Sequence, residues 1–318
     1  MNVRMSFARD IFARIAVLFV WVGLIERFAI AEPPITALAV SSDGDRYITG
    51  SQAGIHILNS SNHELLGSLD TQLVHVHDLC WSADGNFLIA AGGSPAEYGA
   101  AEIYSWPSAE RVRSLRIADD LIYRVHMLSE GNCLLTSGHE NQCWMVSIDG
   151  RQRVSYAGHS RSVLAIRPLL SKGLFLSGGV DQTIQLWTEK GKHIRTLNNH
   201  TGSVTDLVMQ EMQTTSGEGR LISTSEDRTV RLWQPEIGRM VRFVRLGSIP
   251  RRVVNLADGD LAVGCDDGTV IVIDPLEMKI VSTHQSQIKQ IYELVRFREG
   301  VLVAGVGGVK SIEFGREK

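Results

Sequence analysis

An eleven-residue stretch occurs twice in this chain, with matching residue types in the same order. The first copy runs from Ser177 to Trp187 and the second from Ser223 to Trp233. In each copy small residues end one apolar segment, an Asp follows, and alternating polar and apolar residues lead to a Trp. This pattern predicts two antiparallel strands joined by a tight turn. A repeated unit constrains the fold more than a single motif does, because neighbouring copies must stack on each other.

Further units with the same order of strands and turns follow at intervals of about 40–47 residues, the length of a propeller blade. Asp-Gly and Gly-Gly turns separate short alternating segments, as at 84–85 and 92–93, and amphipathic helical periodicity is absent after residue 31. The sequence therefore predicts an all-β fold, a seven-bladed β-propeller over residues 32–318. The units are predicted to begin near residues 35, 74, 121, 160, 201, 249 and 290.

Two units also contain a known set of residue types: His before the first strand, Ser in the second, Asp in the turn and Trp in the third. On these residues the chain resembles the WD40-repeat family, with seven repeats covering nearly all of residues 32–318. The resemblance implies a hydrogen-bonded tetrad within a blade, because Trp only donates, a carboxylate only accepts, and Ser and His relay between them. The implied tetrads are His159, Ser177, Asp181 and Trp187, and His200, Ser223, Asp227 and Trp233.

The other five units depart from this motif. Ile273 stands where the sixth unit would have Trp, and units one, two, three and seven lack a clear His–Asp–Trp set. Rings of this family usually close when an N-terminal strand completes the last blade and covers its open edge. Only four residues follow the segment 309–314, so unit seven is predicted to lack a fourth strand unless residues 27–31 supply it.

Residues 1–31 have the composition of a secretory signal peptide. Three arginines precede an apolar run at 15–25, and an Ala-Ile-Ala sequence ends the segment at Ala31. The expectation is cleavage after Ala31 and export to the periplasm or the cell exterior. The apolar run is shorter than the about 20 residues of a membrane-spanning helix. The alternative is an uncleaved anchor within residues 11–31, the only arrangement in which a membrane would be a partner.

The formal net charge of −3 argues against a bulk affinity for nucleic acid or anionic membranes. The four cysteines, Cys80, Cys133, Cys143 and Cys265, form neither a Cys-x-x-Cys pair nor a local Cys/His cluster, so no metal and no cofactor is predicted. They are interpreted as buried free thiols. A bridge between Cys133 and Cys143 is the alternative, although its register is unfavourable. Free thiols conflict with export, because an oxidising compartment favours disulfides.

His159, Ser177 and Asp181 together resemble a hydrolytic triad. The same set recurs in the fifth unit, and a set that repeats with the fold indicates a structural role. The chain is therefore interpreted as a non-enzymatic scaffold for protein–protein interaction, as the family resemblance implies. Two alternatives stay open: an enzyme with a site at the mouth of the central channel, and a structural module of a larger surface assembly. His75 and His77 share one face of a strand but lack further metal ligands, and are interpreted as ordinary surface histidines.

Three residues are candidates for contact with a protein or peptide partner. Arg251 and Arg252 belong to the densest basic run, 239–252, which is either a solvated strand face and loop or a docking patch for an acidic partner. Tyr98 lies in an insertion at 94–100, which is predicted to be a rim loop of the ring. Loops at the rim of a rigid scaffold often carry binding residues.

Overall fold

In a computed structural model the chain forms seven antiparallel sheets, each with its strands in chain order. The structure describes residues 32–128, 133–169, 173–210 and 219–314, and Pro33–Lys318 is a single compact unit. These described residues contain 27 strands and no helix, so they include no helix that could cross a membrane. The prediction of an all-β, seven-bladed propeller is confirmed.

The sheets are numbered as blades in chain order. Blades one to three contain β1 (Ala37–Val40), β2 (Arg46–Ser51), β3 (Gly54–Asn59), β4 (Leu65–Leu69); β5 (His75–Trp81), β6 (Phe87–Ser94), β7 (Tyr98–Ser105), β8 (Arg111–Ala118); β9 (Ile122–Met127), β10 (Cys133–Gly138), β11 (Gln142–Ser147) and β12 (Arg153–Ala157). Blades four and five contain β13 (Val163–Leu169), β14 (Leu174–Gly179), β15 (Ile184–Thr188), β16 (His193–Leu197); β17 (Val204–Gln210), β18 (Arg220–Ser225), β19 (Thr229–Gln234) and β20 (Arg239–Arg245). Blades six and seven contain β21 (Pro250–Asn255), β22 (Leu261–Cys265), β23 (Thr269–Asp274), β24 (Lys279–Gln285); β25 (Ile291–Phe297), β26 (Gly300–Gly305) and β27 (Gly308–Glu313).

The first strand of each blade lies at the centre of the ring. These seven strands contact one another in ring order, and β25 of blade seven contacts β1 of blade one. The Ile35 N–H also donates to the Gly305 carbonyl at 3.2 Å, which joins the last blade to the first. Polar side chains on the first strands therefore face a common central channel.

Small residues in the second strands let neighbouring blades approach. A Cβ atom at Gly50 would lie 2.5 Å from Val76 Cγ1 of blade two, and one at Gly178 would lie 2.6 Å from Val204 Cγ1 of blade five. Carbon atoms in contact are normally about 3.5–4.0 Å apart, so only glycine fits at this separation. Large apolar side chains such as the fully buried Trp233 fill the rest of the space between blades.

Blade seven has three strands within the described residues, and β27 is the last strand of its sheet. Two sequence-based expectations fall outside the described part of the chain. These are the signal segment at 1–31 and the supply of a closing strand by residues 27–31.

Three of the cysteines, Cys80, Cys143 and Cys265, are free thiols. The register of blade three places Cys143 opposite Ser137, and because Cys143 is free the alternative of a bridge to Cys133 is excluded. Burial raises the pKa of Cys265 to about 11 and also raises that of Cys143. These thiols are therefore protonated and unreactive at neutral pH.

Candidate functional site at the channel mouth

In blade four the four residues of the first predicted tetrad form one chain of hydrogen bonds. The turn between β14 and β15 places Asp181 3.0 Å from His159 Nδ1, and His159 Nε2 lies 2.7 Å from Ser177 Oγ. Trp187 Nε1–H donates to the same Ser177 Oγ at 2.9 Å. Ser177 has no solvent exposure, so its hydroxyl is out of reach of a substrate.

Blade five repeats the arrangement. His200 Nδ1 lies 2.8 Å from Asp227, and His200 Nε2 lies 2.7 Å from Ser223 Oγ, which accepts from Trp233 Nε1–H at 2.8 Å. Arg231 adds a charge-assisted hydrogen bond to Asp227 at 3.1 Å. The two sets have one geometry at equivalent places in two blades, so the resemblance to a hydrolytic triad reflects a structural network.

The protonation states follow from burial and from these partners. Burial lowers the pKa of His200 to about 4, although Asp227 opposes the shift, so the imidazole is neutral at pH 7. Because a carboxylate cannot donate, Nδ1 carries the proton and Nε2 accepts from the Ser223 hydroxyl. Burial alone would raise the pKa of Asp181, but hydrogen bonds from His159 and its neighbours hold it at about 2. Each member thus has a complementary partner, which makes a buried polar network stabilising.

Replacing Asp181 with alanine is expected to lower the free energy of unfolding by about 1–3 kcal/mol, because the buried N–H of His159 loses its acceptor. Urea titration measures the change. Asp149→Ala is the matched control, since Asp149 also accepts turn hydrogen bonds, from Ser147 Oγ and Arg151 N–H, but is exposed. The control is expected to change stability by no more than about 0.5 kcal/mol. Equal losses in the two variants would contradict the role of the buried network.

Blade two contains a different network, which the sequence analysis missed. Glu102 is fully buried on β7 and accepts from Tyr104 Oη at 2.5 Å and from Thr71 Oγ1 at 2.7 Å. The Gln72 N–H and the Arg111 guanidinium complete its partners at 3.1 and 3.2 Å. A Tyr two residues after a Glu, on a strand otherwise made of small and apolar residues, was the available signal.

Six charged side chains, one from the first strand of each of blades two to seven, meet inside the channel. We call this group the channel belt; its members are Asp78, Arg124, Arg167, Asp206, Arg252 and Glu293. Arg124 Nη1 donates both to Asp78 at 2.9 Å and to Glu293 at 2.8 Å, and Arg252 Nε donates to Glu293 at 3.1 Å. Ion pairs therefore join blades two, three, six and seven across the channel.

Two belt carboxylates also bind the backbone of the following blade. Asp78 accepts from the Val125 N–H at 2.9 Å, and Asp206 accepts from the Val253 N–H at 3.0 Å. Both aspartates follow the register shift that breaks the regular ladder of their strand. The shift in register thus directs the carboxylate toward the first strand of the following blade, which indicates a structural role.

The belt leaves a cavity of about 180 Å³ beside it. Burial raises the pKa of Asp78 even though Arg124 opposes the shift. Burial alone would also raise the pKa of Glu293, but the guanidiniums of Arg124 and Arg252 hold it below its usual value. Glu293 is therefore the more firmly ionised of the two. Both carboxylates are occupied by N–H donors, so neither is free to act as a general base.

A wider cavity of about 350 Å³ opens at one end of the channel. We call it the mouth cavity; it is lined by Thr36, His77, Tyr123, Leu164, Thr205, Arg251, Arg252, Gln290 and Tyr292. Two buried polar atoms in its wall, His77 Nε2 and Arg251 Nε, have no hydrogen-bond partner within the described part of the chain. A buried donor or acceptor without a partner is uncommon in folded proteins and calls for an explanation.

Aromatic side chains form a row along one side of the mouth cavity. The rings of His75 and His77 stack with centroids 6.0 Å apart, His77 meets the Tyr123 ring edge-on at 5.4 Å, and Tyr123 meets His139 at 6.3 Å. Burial, helped by nearby cations, lowers the pKa of His77 to about 4, so the His77 imidazole is neutral at pH 7. Among the described residues no group of His, Cys, Asp and Glu could hold a metal ion.

The structure separates the basic run that the sequence analysis treated as one patch. Arg251 faces the mouth cavity and pairs with Glu226 at 3.1 Å, whereas Arg252 is drawn into the channel belt by Glu293. The remaining arginines of the run lie on β20, the outer strand of blade five. Tyr98 is the first residue of β7 and not a loop residue as predicted, because the pairing of β6 with β7 extends to Ser94 and Tyr98. Its hydroxyl donates to the Gln72 carbonyl at 2.7 Å, which ties β7 to the connection between β4 and β5.

The chain has seven sheets of four or three strands around a channel, and a His–Ser–Asp–Trp network stabilises two of them. These features define a β-propeller of the WD type. The family profile described as "WD domain, G-beta repeat" matches residues 150–188 and 191–234.

The two matched segments contain the two tetrads and most of blades four and five. The chain thus contains repeats of the WD40 family in blades four and five. Propellers of this family are scaffolds that bind protein partners, and they are generally not catalysts.

Curated relatives match parts of the chain. A protein named "Ribosome biogenesis protein WDR12 homolog" from Drosophila erecta is 45% identical over 65 residues, which is 20% of this chain and 14% of the relative. The homologue of the same name from Drosophila willistoni is 41% identical over 59 residues, 19% of this chain and 14% of the relative. "Nuclear distribution protein nudF" from Aspergillus niger is 26% identical over 193 residues, 60% of this chain and 37% of the relative. The chain thus matches well under half the length of each of these relatives.

The sequence-based expectation of export is wrong. The similar proteins are named for ribosome biogenesis and for nuclear distribution, and both processes take place inside cells. The expectation rested on the composition of residues 1–31, which lie outside the described residues, and composition alone does not distinguish a signal from another apolar segment. The free thiols at Cys80, Cys143 and Cys265 agree with the correction, because thiols persist in reducing compartments.

Proposed function

We propose that this chain is a non-catalytic scaffold that binds a protein partner at the channel mouth, where Arg251 receives an acidic side chain. The observation that supports it is the pair of buried polar atoms, Arg251 Nε and His77 Nε2, that lack partners in the wall of the mouth cavity. A buried donor without an acceptor costs about 1–3 kcal/mol. A carboxylate that entered the cavity would relieve this cost at Arg251 and form a charge-assisted hydrogen bond.

The other walls of the mouth cavity suit a peptide side chain. Its volume of about 350 Å³ is that of a small ligand pocket. Tyr123 and Tyr292 offer apolar ring faces together with hydroxyl groups, a combination that is common where proteins meet. Arg251 already pairs with Glu226, whose side chain is 39% exposed. A carboxylate from the partner would share the guanidinium or replace Glu226 at an exposed and weak pair.

The test begins with a partner that co-purifies with the full chain in a fixed stoichiometry. Arg251→Glu is expected to weaken its affinity by at least about tenfold, or about 1.4 kcal/mol, as measured by isothermal titration calorimetry. The reason is that the variant replaces the proposed cation with a like charge. Arg252 is unsuitable for this test, because a glutamate there would face the buried Glu293.

Lys310→Glu is the control for this experiment. Lys310 is exposed on β27 and has no ion pair among the described residues, and the variant makes the same change in net charge. Unchanged affinity is expected. If Arg251→Glu and the wild type bind the partner equally well, the mouth is not the contact. If the purified wild type turns over a substrate, the non-catalytic assignment is wrong.

A further inference from the structure

The outer strands of blades three, four and five carry an excess of positive charge. The segments 147–157, 188–197 and 234–245 contain eight Lys and Arg against three Asp and Glu, although the whole chain has a formal net charge of −3. All eight cationic side chains are exposed: Arg151, Arg153, Lys190, Lys192, Arg195, Arg239, Arg242 and Arg245. We call this surface the basic wall.

Most of these cations have no carboxylate partner. Within the described residues, Arg151 lies 3.6 Å from Asp149 and Arg242 lies 3.1 Å from Glu277, and the other six have no ion pair. Charges left unpaired on one side of a nearly neutral protein produce a local positive potential.

Contacts between blades make the wall continuous. Tyr156 of blade three donates its hydroxyl to the Glu189 carbonyl of blade four at 2.6 Å. A Cβ at Gly238 of blade five would lie 2.8 Å from Arg195 Cδ of blade four. Each outer strand therefore lies against the turn that precedes the outer strand of the next blade, and the three charged segments form one surface.

Protection of exposed strand edges does not account for this charge. Cationic side chains on an outer strand do discourage edge-to-edge aggregation. However, the corresponding segments of blades one and six, 59–69 and 274–285, contain a single cation, Lys279, although β4 and β24 are equally the last strands of their sheets. The same architecture is thus stable without a basic edge on two blades, and the wall needs another explanation.

We propose that the basic wall binds an acidic segment of a partner protein. The charge of the wall is complementary to carboxylates, and the exposed apolar side chains of Ile194, Ile237 and Phe243 lie among the cations. An acidic polypeptide can offer both carboxylates and apolar side chains. A nucleic-acid backbone offers only the charge, because the two aliphatic isoleucines stack poorly on bases. The surface is separate from the mouth cavity, so this proposal does not depend on the contact at Arg251.

The test uses the full chain and three fluorescently labelled probes: a peptide of glutamate interspersed with leucine, the same peptide with glutamine for glutamate, and an oligouridylate of equal length. Fluorescence anisotropy is expected to show binding of the glutamate peptide that weakens as salt is raised. A variant with Lys192, Arg195 and Arg239 all changed to Glu is expected to lose at least about tenfold in affinity. The matched control changes Lys279, Lys289 and Lys310 to Glu, which are exposed cations of blades six and seven, and is expected to bind like the wild type.

Several results would overturn the proposal. They are equal losses in the wall variant and the control variant, tighter binding of the oligouridylate than of the glutamate peptide, equal binding of the glutamine peptide, and no binding of any probe. If the wall does not bind the glutamate peptide but Arg251→Glu weakens binding of the partner, the scaffold function still holds. If the wall binds the peptide but Arg251→Glu leaves binding of the partner unchanged, only the mouth is rejected as the contact.

Discussion

Replacing Arg124 with methionine is expected to lower the free energy of unfolding by about 3–5 kcal/mol, the cost of removing one partner from a buried ion pair. Arg124 is the bridge between Asp78 and Glu293, and all three side chains are at most 10% exposed. Methionine has a similar length but no charge, so both carboxylates would remain buried with fewer donors. Urea titration of the purified variant measures the loss, provided that the variant folds at low temperature.

Two further variants make the test specific to the belt. Arg116→Met removes an arginine whose ion pair with Asp119 is exposed, and we expect a change of no more than about 1 kcal/mol there. Adding Glu293→Gln to Arg124→Met is expected to restore part of the lost stability, because it removes one uncompensated charge. Stability losses that are equal for Arg116 and Arg124, or that simply add in the double variant, would contradict a coupled network.

Acid is expected to destabilise the ring by about 3 kcal/mol through His200 alone as the pH falls from 7 to 4. The pKa of His200 is about 4 in the folded chain, against an ordinary value of 6.5. Between these values the unfolded chain binds the proton more readily, so stability is full above about pH 6.5 and is lost as the pH approaches 4. The pKa of Asp227 is also lowered, because hydrogen bonds from Thr229 and His200 outweigh burial, and its contribution is lost only below its ordinary value of 3.8.

The variant His200→Gln isolates this effect. Urea titrations of the wild type and the variant at several pH values give the slope of stability against pH for each. The variant is expected to have a shallower slope between pH 6.5 and 4, even though it is less stable at pH 7. His77, whose pKa is also about 4, remains in both proteins and contributes equally to both slopes. Identical slopes would show that the tetrad histidine is not buried in its neutral form.

Local sequence patterns were sufficient for the parts of this fold that depend on neighbouring residues. Small residues such as Gly178 mark the strands against which the next blade packs, and the Asp181 turn joins two strands that are adjacent in sequence. Both features follow from backbone and side-chain geometry within one or two hairpins. The repeat of the pattern then extends the inference from one blade to the ring.

The channel belt could not be predicted in this way. Arg124 and Glu293 are 169 residues apart and meet only because the ring brings first strands of different blades together. The basic run at 239–252 was misleading for a related reason. Residues close in sequence were assigned to one surface, but a turn of the chain sends Arg245 to the outer wall and Arg251 to the mouth.

The channel belt also changes how the seven blades share stability. In an array in which each repeat touches only its neighbours, terminal or weak repeats can unfold while the rest stay folded. Arg124 of blade three holds Glu293 of blade seven, so two blades that are not adjacent depend on each other. Loss of either blade would leave a buried charge in the other. The ring should therefore melt in a single cooperative transition, and partly unfolded rings with some blades intact should be too unstable to accumulate.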